Sequence, residues 1–163
     1  MVGDQVPGFA SRTYDGEAIT LENLLDKGAL MVIFYRGGWC PFCNHQVRQV
    51  TMAYDKFQQR HVTPVLISID QTDGAMLVKE AYEIPFPVLS DSDLAAHESF
   101  KAVIELDNTG YEKYKKFGVD LEAWSGLDHH KMAAPAVFLV SKEGKCSGRM
   151  SLWILRHDPV LTS

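Results

Sequence analysis

The sequence predicts an α/β protein with a mixed β-sheet, and three observations support this fold class. Two nearly unbroken apolar runs, at residues 28–35 and 62–70, have the composition of buried strands. Segments with helical spacing alternate with these strands. A hairpin pattern then follows, with strands on both sides of a turn at residues 142–144. Strands that alternate with helices and end in a hairpin are typical of a sheet that contains both parallel and antiparallel pairs.

The elements between these landmarks follow from apolar spacing. Val47, Val50, Tyr54 and Phe57 recur at steps of three and four residues, which predicts one helix over residues 44–60. Its apolar stripe is expected to face the sheet. The remaining predicted elements are helices from Thr72, from Asp91 and over residues 109–121, and a short strand from Phe86.

Composition excludes several function classes. A chain of 163 residues predicts one domain over residues 1–163. A formal net charge of -5 gives no basic surface for nucleic acid. The first residues lack the pattern of a signal peptide, and no apolar run has the length of a membrane span, so a cytoplasmic protein without a membrane partner is expected. Three cysteines are too few for a secreted disulfide scaffold, which favours working thiols.

Two of the cysteines, Cys40 and Cys43, lie in the string RGGWCPFC directly after the first buried run. Pro41 suits the first position of a helix, so Cys40 is predicted to be its N-cap residue. Cys43 lies one turn further along, close enough to form a disulfide, and falls on the buried stripe. A helix N-terminus stabilises a thiolate. From local chemistry alone, Cys40 is the accessible nucleophile and Cys43 the sheltered, resolving thiol.

Two structural interpretations of the cysteine pair compete with redox chemistry. A zinc clip would need further ligands, and the candidates Cys146, His129, His130 and His157 show no paired ligand spacing. Inert core thiols are the second interpretation, but the strand–turn–helix setting beside Trp39 argues against it. We therefore predict no metal and no cofactor, and Cys146 is most simply a buried structural thiol.

Six segments together resemble the peroxiredoxin-like branch of the alkyl hydroperoxide reductase/thiol-specific antioxidant (AhpC/TSA) family. The resemblance covers Gly3 to about Lys145, is most specific at residues 34–43 and is weakest in the tail from residue 149. It implies a thioredoxin-like fold, with a mixed central β-sheet flanked by helices. The segments are GDQVPGF, DGEAITLENLL, VIFYRGGWCPFC, TPVLISID, FPVLSDSD and APAVFLVSKEGK.

The resemblance also implies an activity and its partners. Proteins of this kind reduce hydrogen peroxide or organic hydroperoxides with a cysteine and support cell redox homeostasis. Peroxide is then the substrate, and thioredoxin, glutaredoxin or a low-molecular-weight thiol is the reductant. Homodimers are common among relatives, so the oligomeric state stays open between a monomer and a homodimer.

The family motif Pro-x-x-x-Thr-x-x-Cys places the peroxide-attacking cysteine at Cys43. The threonine position is then Cys40 and the proline position is Arg36. A further family arginine, expected near Val137, is replaced by Pro135. Because peroxide cleavage develops negative charge on the leaving oxygen, Arg36 is the residue expected to stabilise that charge. The family motif therefore assigns attack to Cys43, whereas local helix chemistry assigns it to Cys40.

The string WCPFC also resembles the Trp-Cys-x-x-Cys of thioredoxins and the Cys-Pro-x-Cys of glutaredoxins. In that comparison Trp39 shields the thiols, and Pro135 matches a cis-proline beside them, so a cis bond at Ala134–Pro135 is expected. The buried acid of thioredoxins is here Phe34. Two alternatives to a peroxidase thus stay open: a protein-disulfide reductase with Cys40 as nucleophile, and a non-catalytic binding module.

Overall fold

The computed structural model describes residues 2–151, so His157 and most of the tail lie outside the described residues. The strands are β1 (Ala10–Thr13), β2 (Ala18–Thr20), β3 (Ala29–Phe34), β4 (Val62–Ser68), β5 (Val88–Ser90), β6 (Val103–Glu105), β7 (Lys131–Ala133), β8 (Ala136–Val140) and β9 (Cys146–Ser151). Seven of them form one sheet in the order β2-β1-β5-β4-β3-β8-β9, and β6 pairs with β7 in a second, two-stranded sheet. The helices are α1 (Leu21–Leu25), α2 (Pro41–Met52), α3 (Tyr54–Gln59), α4 (Thr72–Ala81), α5 (Ala95–Ser99), α6 (Asn108–Lys116) and α7 (Leu121–Ser125).

The centre of the large sheet is mixed, as the sequence predicts. β3 pairs in parallel with β4 and antiparallel with β8, and β4 pairs in parallel with β5. Strands covered on both faces have few polar residues, which is why β3 and β4 read as apolar runs. The two predicted buried strands are confirmed, and so is the hairpin of β8 and β9.

Apolar side chains cover both faces of the sheet. On one face Leu30, Val32 and Phe34 of β3 join the largest buried cluster. On the opposite face Ile33 and Tyr35 join a second cluster, which includes both cysteines of the pair. Because alternate residues of a strand point to opposite faces, β3 separates the two clusters. The thiols therefore lie against one defined face of the sheet.

A segment over residues 103–133 adds β6, α6, α7 and β7 beside the end of β3. It packs on a third cluster, which includes Tyr114, Leu121 and Met132. The sequence predicts only the helix of this segment, α6. Strands of three residues such as β6 and β7 give no periodic signal, so their pairing could not be predicted. We call residues 103–133 the accessory segment.

The helix predicted over residues 44–60 is two helices in the structure. α2 ends at Met52, and the Ala53 N–H is shared between the carbonyl oxygens of Gln49 and Val50, each at 3.1 Å. A shared bond of this kind tightens the last turn and ends a helix. The apolar stripe nevertheless continues onto α3, which explains the prediction of one helix.

No helix within residues 2–151 is long and apolar enough to cross a membrane.

We expect Phe34→Ala to be among the most destabilising substitutions in the sheet. The Phe34 ring is fully buried and packs against the rings of Phe100 and Phe138, with centroids 5.3 and 5.9 Å away. Truncating such a side chain lowers the free energy of unfolding by about 3–5 kcal/mol. Urea unfolding followed by circular dichroism measures this loss. Leu139→Ala is the control, since Leu139 is 44% exposed on β8; equal losses for both variants would contradict the packing.

Candidate active site

The site begins where β3 ends and α2 starts. Cys40 is the N-cap residue of α2, with φ -96° and ψ 110°, and Pro41 takes the first helical position. The Cys40 N–H donates to the Gly37 carbonyl at 3.1 Å, and the Cys40 carbonyl accepts from Asn44 N–H at 3.0 Å. Proline at the first position loses no hydrogen bond, because that N–H has no intrahelical partner. The predicted helix start is confirmed.

The structure brings the two thiols together. Cys40 is 5% exposed and Cys43 is 2% exposed, and both are free cysteines in the cluster that also contains Val47 and Val137. The side chains of Cys40 and Cys43 form a hydrogen bond, which contributes to the raised pKa of Cys43. The two thiols are therefore in contact at the start of α2. Both thiols are buried, so exposure does not distinguish the predicted accessible Cys40 from a sheltered Cys43.

The environment of Cys43 favours the protonated thiol. Its pKa is raised, first by the hydrogen bond with Cys40 and then by burial. Arg36 acts in the opposite direction, through its backbone N–H, which donates to the Cys43 sulfur, and through its positive charge. The Cys40 side chain makes no capping hydrogen bond to α2. Removal of the proton from Cys43 is therefore a costly step in any reaction of the pair.

Arg36 is completely buried beside the thiols. Its Nη1 donates to the hydroxyl of Tyr114 and contacts the sulfur of Met132 at 3.6 Å. Tyr114 belongs to α6 and Met132 to β7, so the accessory segment holds this guanidinium in place. A buried charge persists only when neighbouring groups bind it. Arg36 thus places a buried positive charge near Cys43, and its role toward the leaving oxygen stays a prediction.

Trp39 lies across two parts of the core. Its ring packs against the thiol cluster and the cluster of the accessory segment, and it meets the Tyr114 ring edge-on with centroids 5.7 Å apart. Its Nε1 is buried and makes no hydrogen bond of standard geometry to any residue within 2–151. Trp39 therefore joins the accessory segment to the loop that carries the cysteines.

Asp70 is a site residue that the sequence analysis missed. It follows β4, is completely buried, and its Oδ2 accepts a hydrogen bond from the Gly38 N–H at 2.9 Å. Burial raises the pKa of Asp70 to about 7. The available signal was a carboxylate at the end of an otherwise apolar run, which is an unusual position for a charge.

Pro135 lies at the same end of the sheet, but its geometry differs from the expectation. The Ala134–Pro135 bond is trans, because the described chain contains no cis peptide bond, so the prediction of a cis bond is wrong. The Ala134 N–H donates to the Ala102 carbonyl at 2.9 Å, between the end of β7 and the start of β8. The trans form is the common one for a peptide bond before proline. Pro135 is buried, two residues before Val137 on the same face of the sheet.

Cys146 is separated from the pair. It is 1% exposed in the cluster on the opposite face of the sheet, and its Sγ contacts the Gly148 carbonyl at 3.5 Å. β9 pairs it with Val140, on the far side of β8 from β3. This position agrees with a structural thiol and excludes direct contact with Cys43.

The two neighbouring histidines have local partners. His129 Nε2 lies 2.9 Å from the Ser92 carbonyl. His130 Nε2 lies 2.6 Å from the Glu122 carboxylate, and its ring stacks on Tyr111 with centroids 3.9 Å apart. Among residues 2–151, no group of three or more His, Cys, Asp or Glu side chains is placed to hold a metal ion. The zinc interpretation therefore gains no support from this part of the chain.

The fold and the position of the cysteine pair define a thioredoxin-like protein with a Cys-x-x-Cys pair at the start of the helix after a central strand. Residues 2–148 match the AhpC/TSA family. The chain belongs to the AhpC/TSA family, as the resemblance of its six segments predicts.

Curated proteins of two kinds are similar to the chain. The chain is 25% identical over 146 residues to the thiol-disulfide oxidoreductase ResA of Bacillus thuringiensis subsp. konkukian, covering 88% of the chain and 66% of that protein. It is 27% identical over 114 residues to the putative peroxiredoxin bcp of Coxiella burnetii, covering 70% of the chain and 74% of that protein. The chain thus spans slightly less than two thirds of the length of this ResA.

Solved structures support the same fold. The peroxidoxin BcpB of Mycobacterium tuberculosis superposes with a TM-score of 0.75 at 19% identity, covering 99% of this chain and 94% of that one. Peroxiredoxin Q of Xanthomonas campestris superposes with a TM-score of 0.70 at 19% identity, covering 94% and 87%. The predicted thioredoxin-like fold, with a mixed central sheet flanked by helices, is confirmed.

We expect Gly37→Ala to disrupt the loop before the cysteines. Gly37 has φ +147°, and an added Cβ would lie 2.6 Å from Trp39 Nε1 and 2.8 Å from Asp70 Oδ1. Backbone strain and overlap together lower the free energy of unfolding by about 2–4 kcal/mol. Gly16→Ala is the matched control, since Gly16 has φ +91° with nothing within 4 Å of an added Cβ. Urea unfolding compares them; equal losses would show that the overlap is relieved at no cost.

Asp70 should make stability depend on pH in a definite direction. Because its native pKa is about 7 and its unfolded value is about 3.9, the native state holds the proton more tightly across this interval. The free energy of unfolding then falls as pH rises from about 4 to about 7, by at most ~1.4 kcal/mol per pH unit. Asp70→Asn removes this dependence. The free energy of unfolding of the variant, relative to that of the parent, therefore increases as pH rises from about 4 to about 7.

Chemical unfolding between pH 4 and 8 measures the difference between the parent and Asp70→Asn. Asp55→Asn is the matched control, because Asp55 is an exposed carboxylate on α3. A difference that stays constant with pH would show that Asp70 is already ionised in the native protein at acidic pH.

Proposed function

We propose that the protein is a thiol-dependent peroxidase that reduces hydrogen peroxide or organic hydroperoxides through Cys40 and Cys43. The observation that carries the proposal is the contact between the two thiols at the start of α2, beside the buried charge of Arg36. Membership of the AhpC/TSA family and similarity to a putative peroxiredoxin support it.

Cys43 is assigned the peroxide-attacking role in this proposal. Its thiolate attacks one peroxide oxygen, the S–O bond forms as the O–O bond breaks, and the leaving oxygen takes a proton to become water or an alcohol. The peroxide is reduced by two electrons and Cys43 becomes a sulfenic acid. The Cys40 sulfur then attacks the Cys43 sulfur while the Cys40 thiol proton passes to the leaving oxygen, so that water departs and a disulfide forms. A thioredoxin, a glutaredoxin or a small thiol reduces that disulfide by exchange.

Three further residues have proposed roles. The Arg36 backbone N–H and guanidinium favour the Cys43 thiolate, and the guanidinium stabilises charge on the leaving oxygen. Trp39 covers the pair from the side of the accessory segment. Pro135 is buried next to Ala136, the β8 partner of Phe34, and is assigned a place beside the thiols. These assignments follow the sequence prediction, with Pro135 acting in the trans form.

A thiol-disulfide oxidoreductase is the second candidate function. Cys40 occupies the threonine position of the peroxiredoxin motif. This chain therefore lacks the threonine hydroxyl that the motif supplies to a peroxidase. Similarity to ResA, a thiol-disulfide oxidoreductase, favours the same candidate. In that mechanism Cys40 attacks a substrate disulfide and Cys43 resolves the mixed disulfide.

Substitution of each cysteine separates the candidates. We expect peroxide consumption coupled to a thiol reductant to fall below about 1% of the parent rate in both Cys40→Ser and Cys43→Ser, since each removes a reacting sulfur. Cys146→Ala is the control and should retain the rate, because Cys146 lies across the sheet. Peroxide loss is followed in time with reductant in excess.

The same variants locate the attacking sulfur. A limited dose of peroxide followed by intact-mass analysis should show a sulfenic acid on Cys43 in the Cys40→Ser protein. Reduction of insulin disulfides without peroxide turnover would instead establish the second candidate. Thiols that resist alkylation at neutral pH in the folded parent would contradict both functions and leave a non-catalytic binding module.

A further inference from the structure

Both side chains of the loop before the cysteines meet one residue of the accessory segment. Residues 36–39, here called the thiol loop, include two glycines, so Arg36 and Trp39 are its only residues with a side chain beyond Cα. The hydroxyl of Tyr114 accepts a hydrogen bond from Arg36 Nη1. The ring of Tyr114 meets that of Trp39 edge-on, with centroids 5.7 Å apart. Tyr114 thus contacts the first and the last residue of the thiol loop at once.

The sequence of the thiol loop does not fix its shape. Glycine adopts many backbone conformations, and Gly37 has φ +147°, which other residues rarely adopt. Backbone hydrogen bonds hold the middle of the loop, among them those from Gly38 N–H to Asp70 at 2.9 Å and from Cys40 N–H to the Gly37 carbonyl at 3.1 Å. The side chains at the two ends of the loop supply further anchors, and both contact Tyr114.

Tyr114 is itself held in place within α6. Its side chain is completely buried. Its carbonyl accepts hydrogen bonds from Phe117 N–H at 3.0 Å and from Val119 N–H at 2.9 Å, which close the end of the helix. The Asp107 side chain caps the start of α6 by accepting from Gly110 N–H at 2.8 Å. A residue at a hydrogen-bonded helix end is suited to hold a loop that is rich in glycine.

The hydroxyl of Tyr114 binds a guanidinium without cancelling its charge. An arginine side chain only donates hydrogen bonds and stays protonated, so the phenol oxygen is the acceptor. This acceptor is neutral, whereas a carboxylate at the same position would cancel much of the positive charge. Hydrogen bonds with one charged partner are stronger than those between two neutral groups. Loss of the hydroxyl should therefore release a strong contact while the ring stays in place.

Arg36 connects this contact to the thiols. Its backbone N–H donates to the Cys43 sulfur, and its positive charge favours the Cys43 thiolate. The guanidinium at the other end of the same residue is bound to Tyr114. Cys40 follows the thiol loop directly and is the N-cap residue of α2. A shift of the loop would therefore alter the position of Arg36 relative to both cysteines.

We propose that Tyr114 is a positioning residue of the thiol pair, which fixes Arg36 and Trp39 and thereby holds the thiol loop in its reactive geometry. Its effect on the sulfur is transmitted by Arg36. Tyr114 exchanges no proton or electron with the substrate, and Cys43 remains the attacking sulfur. The inference deepens the proposed function and rests on it, because it adds to that reaction a residue far from the cysteine string in sequence.

Tyr114→Phe tests the inference, since it removes the hydroxyl and keeps the ring. The rate constant for the reaction of hydrogen peroxide with the reduced protein should fall by about 10-fold, the size expected for loss of one hydrogen bond to a charged group. Rapid mixing, acid quenching and intact mass measure this rate. Tyr111→Phe is the matched control and should retain the parent rate, because Tyr111 is a buried tyrosine of the same helix whose hydroxyl donates to Asp120 at 3.0 Å.

Alkylation measures the same effect without a redox substrate. In a Cys40→Ser, Cys146→Ala background, Cys43 is the single thiol, and its reaction with iodoacetamide is followed by intact mass between pH 6.5 and 9.5. Because the thiolate is the species that reacts, Tyr114→Phe should slow alkylation by about 10-fold, which displaces the pH profile upward by about one unit. Tyr111→Phe should leave the profile in place.

A purely structural role of Tyr114 predicts a different direction. Loosened packing would expose a buried thiol and speed its alkylation, whereas a displaced guanidinium slows it. Tyr35, a further titratable group that faces Cys43, is the same in the compared proteins and does not produce the shift. An unchanged or higher rate in Tyr114→Phe, in either assay in which the parent reacts, would overturn the inference.

A double substitution tests whether Tyr114 acts through Arg36. Arg36→Met removes the charge and keeps an unbranched apolar side chain, which a buried position tolerates. Tyr114→Phe should have no further effect on alkylation in the Arg36→Met protein, because the hydrogen bond that it removes is already absent. A further loss of about 10-fold there would show that Tyr114 acts by another route and would overturn the inference.

The outcomes are separable from those of the proposed function. If the parent protein does not consume peroxide, the proposed function fails, and slower alkylation in Tyr114→Phe still supports the positioning role. If the parent consumes peroxide and Tyr114→Phe matches it in either assay, the proposed function stands and the positioning role is overturned.

Discussion

The hydrogen bond from the Gly38 N–H to the Asp70 carboxyl, at 2.9 Å, joins the ends of the two central parallel strands. The chain must leave β3, turn through Gly37 at φ +147°, and start α2 within a few residues. A buried acceptor fixes the backbone of that turn, since a buried N–H without a partner is costly. The position of Cys40 at the helix start, and hence of Cys43 one turn later, depends on this anchor.

The sequence predicts the elements on both sides of this hydrogen bond, but not the long-range contacts themselves. Apolar runs locate β3 and β4, and the CPFC string locates the helix start, so the fold and both thiols follow from local patterns. Asp70 is bound to a residue 32 positions away, and Arg36 to Tyr114 across 78 positions. Contacts of this range leave no periodic signal in a single sequence. The Ala134 N–H, next to Pro135, is likewise bound to the carbonyl of Ala102, which is distant in sequence.

The accessory segment compensates for a departure from the family motif, because it binds the residue that replaces the motif's proline. Arg36 replaces a proline, and a charge at that position would be costly without Tyr114 on α6 and Met132 on β7 to receive it. Trp39 contacts the same tyrosine ring. The three short elements that the sequence did not predict, β6, α7 and β7, therefore belong to the structure that encloses the thiol loop. Residues that differ from a motif can be compensated by a segment distant in sequence.

Opposing influences meet at Cys43. Its hydrogen bond with Cys40 and its burial raise the pKa of the thiol, and the Arg36 backbone N–H and guanidinium lower it. Because the first pair prevails, Cys43 favours the thiol form, and its proton must be removed before the sulfur can react, since the thiolate is the nucleophile.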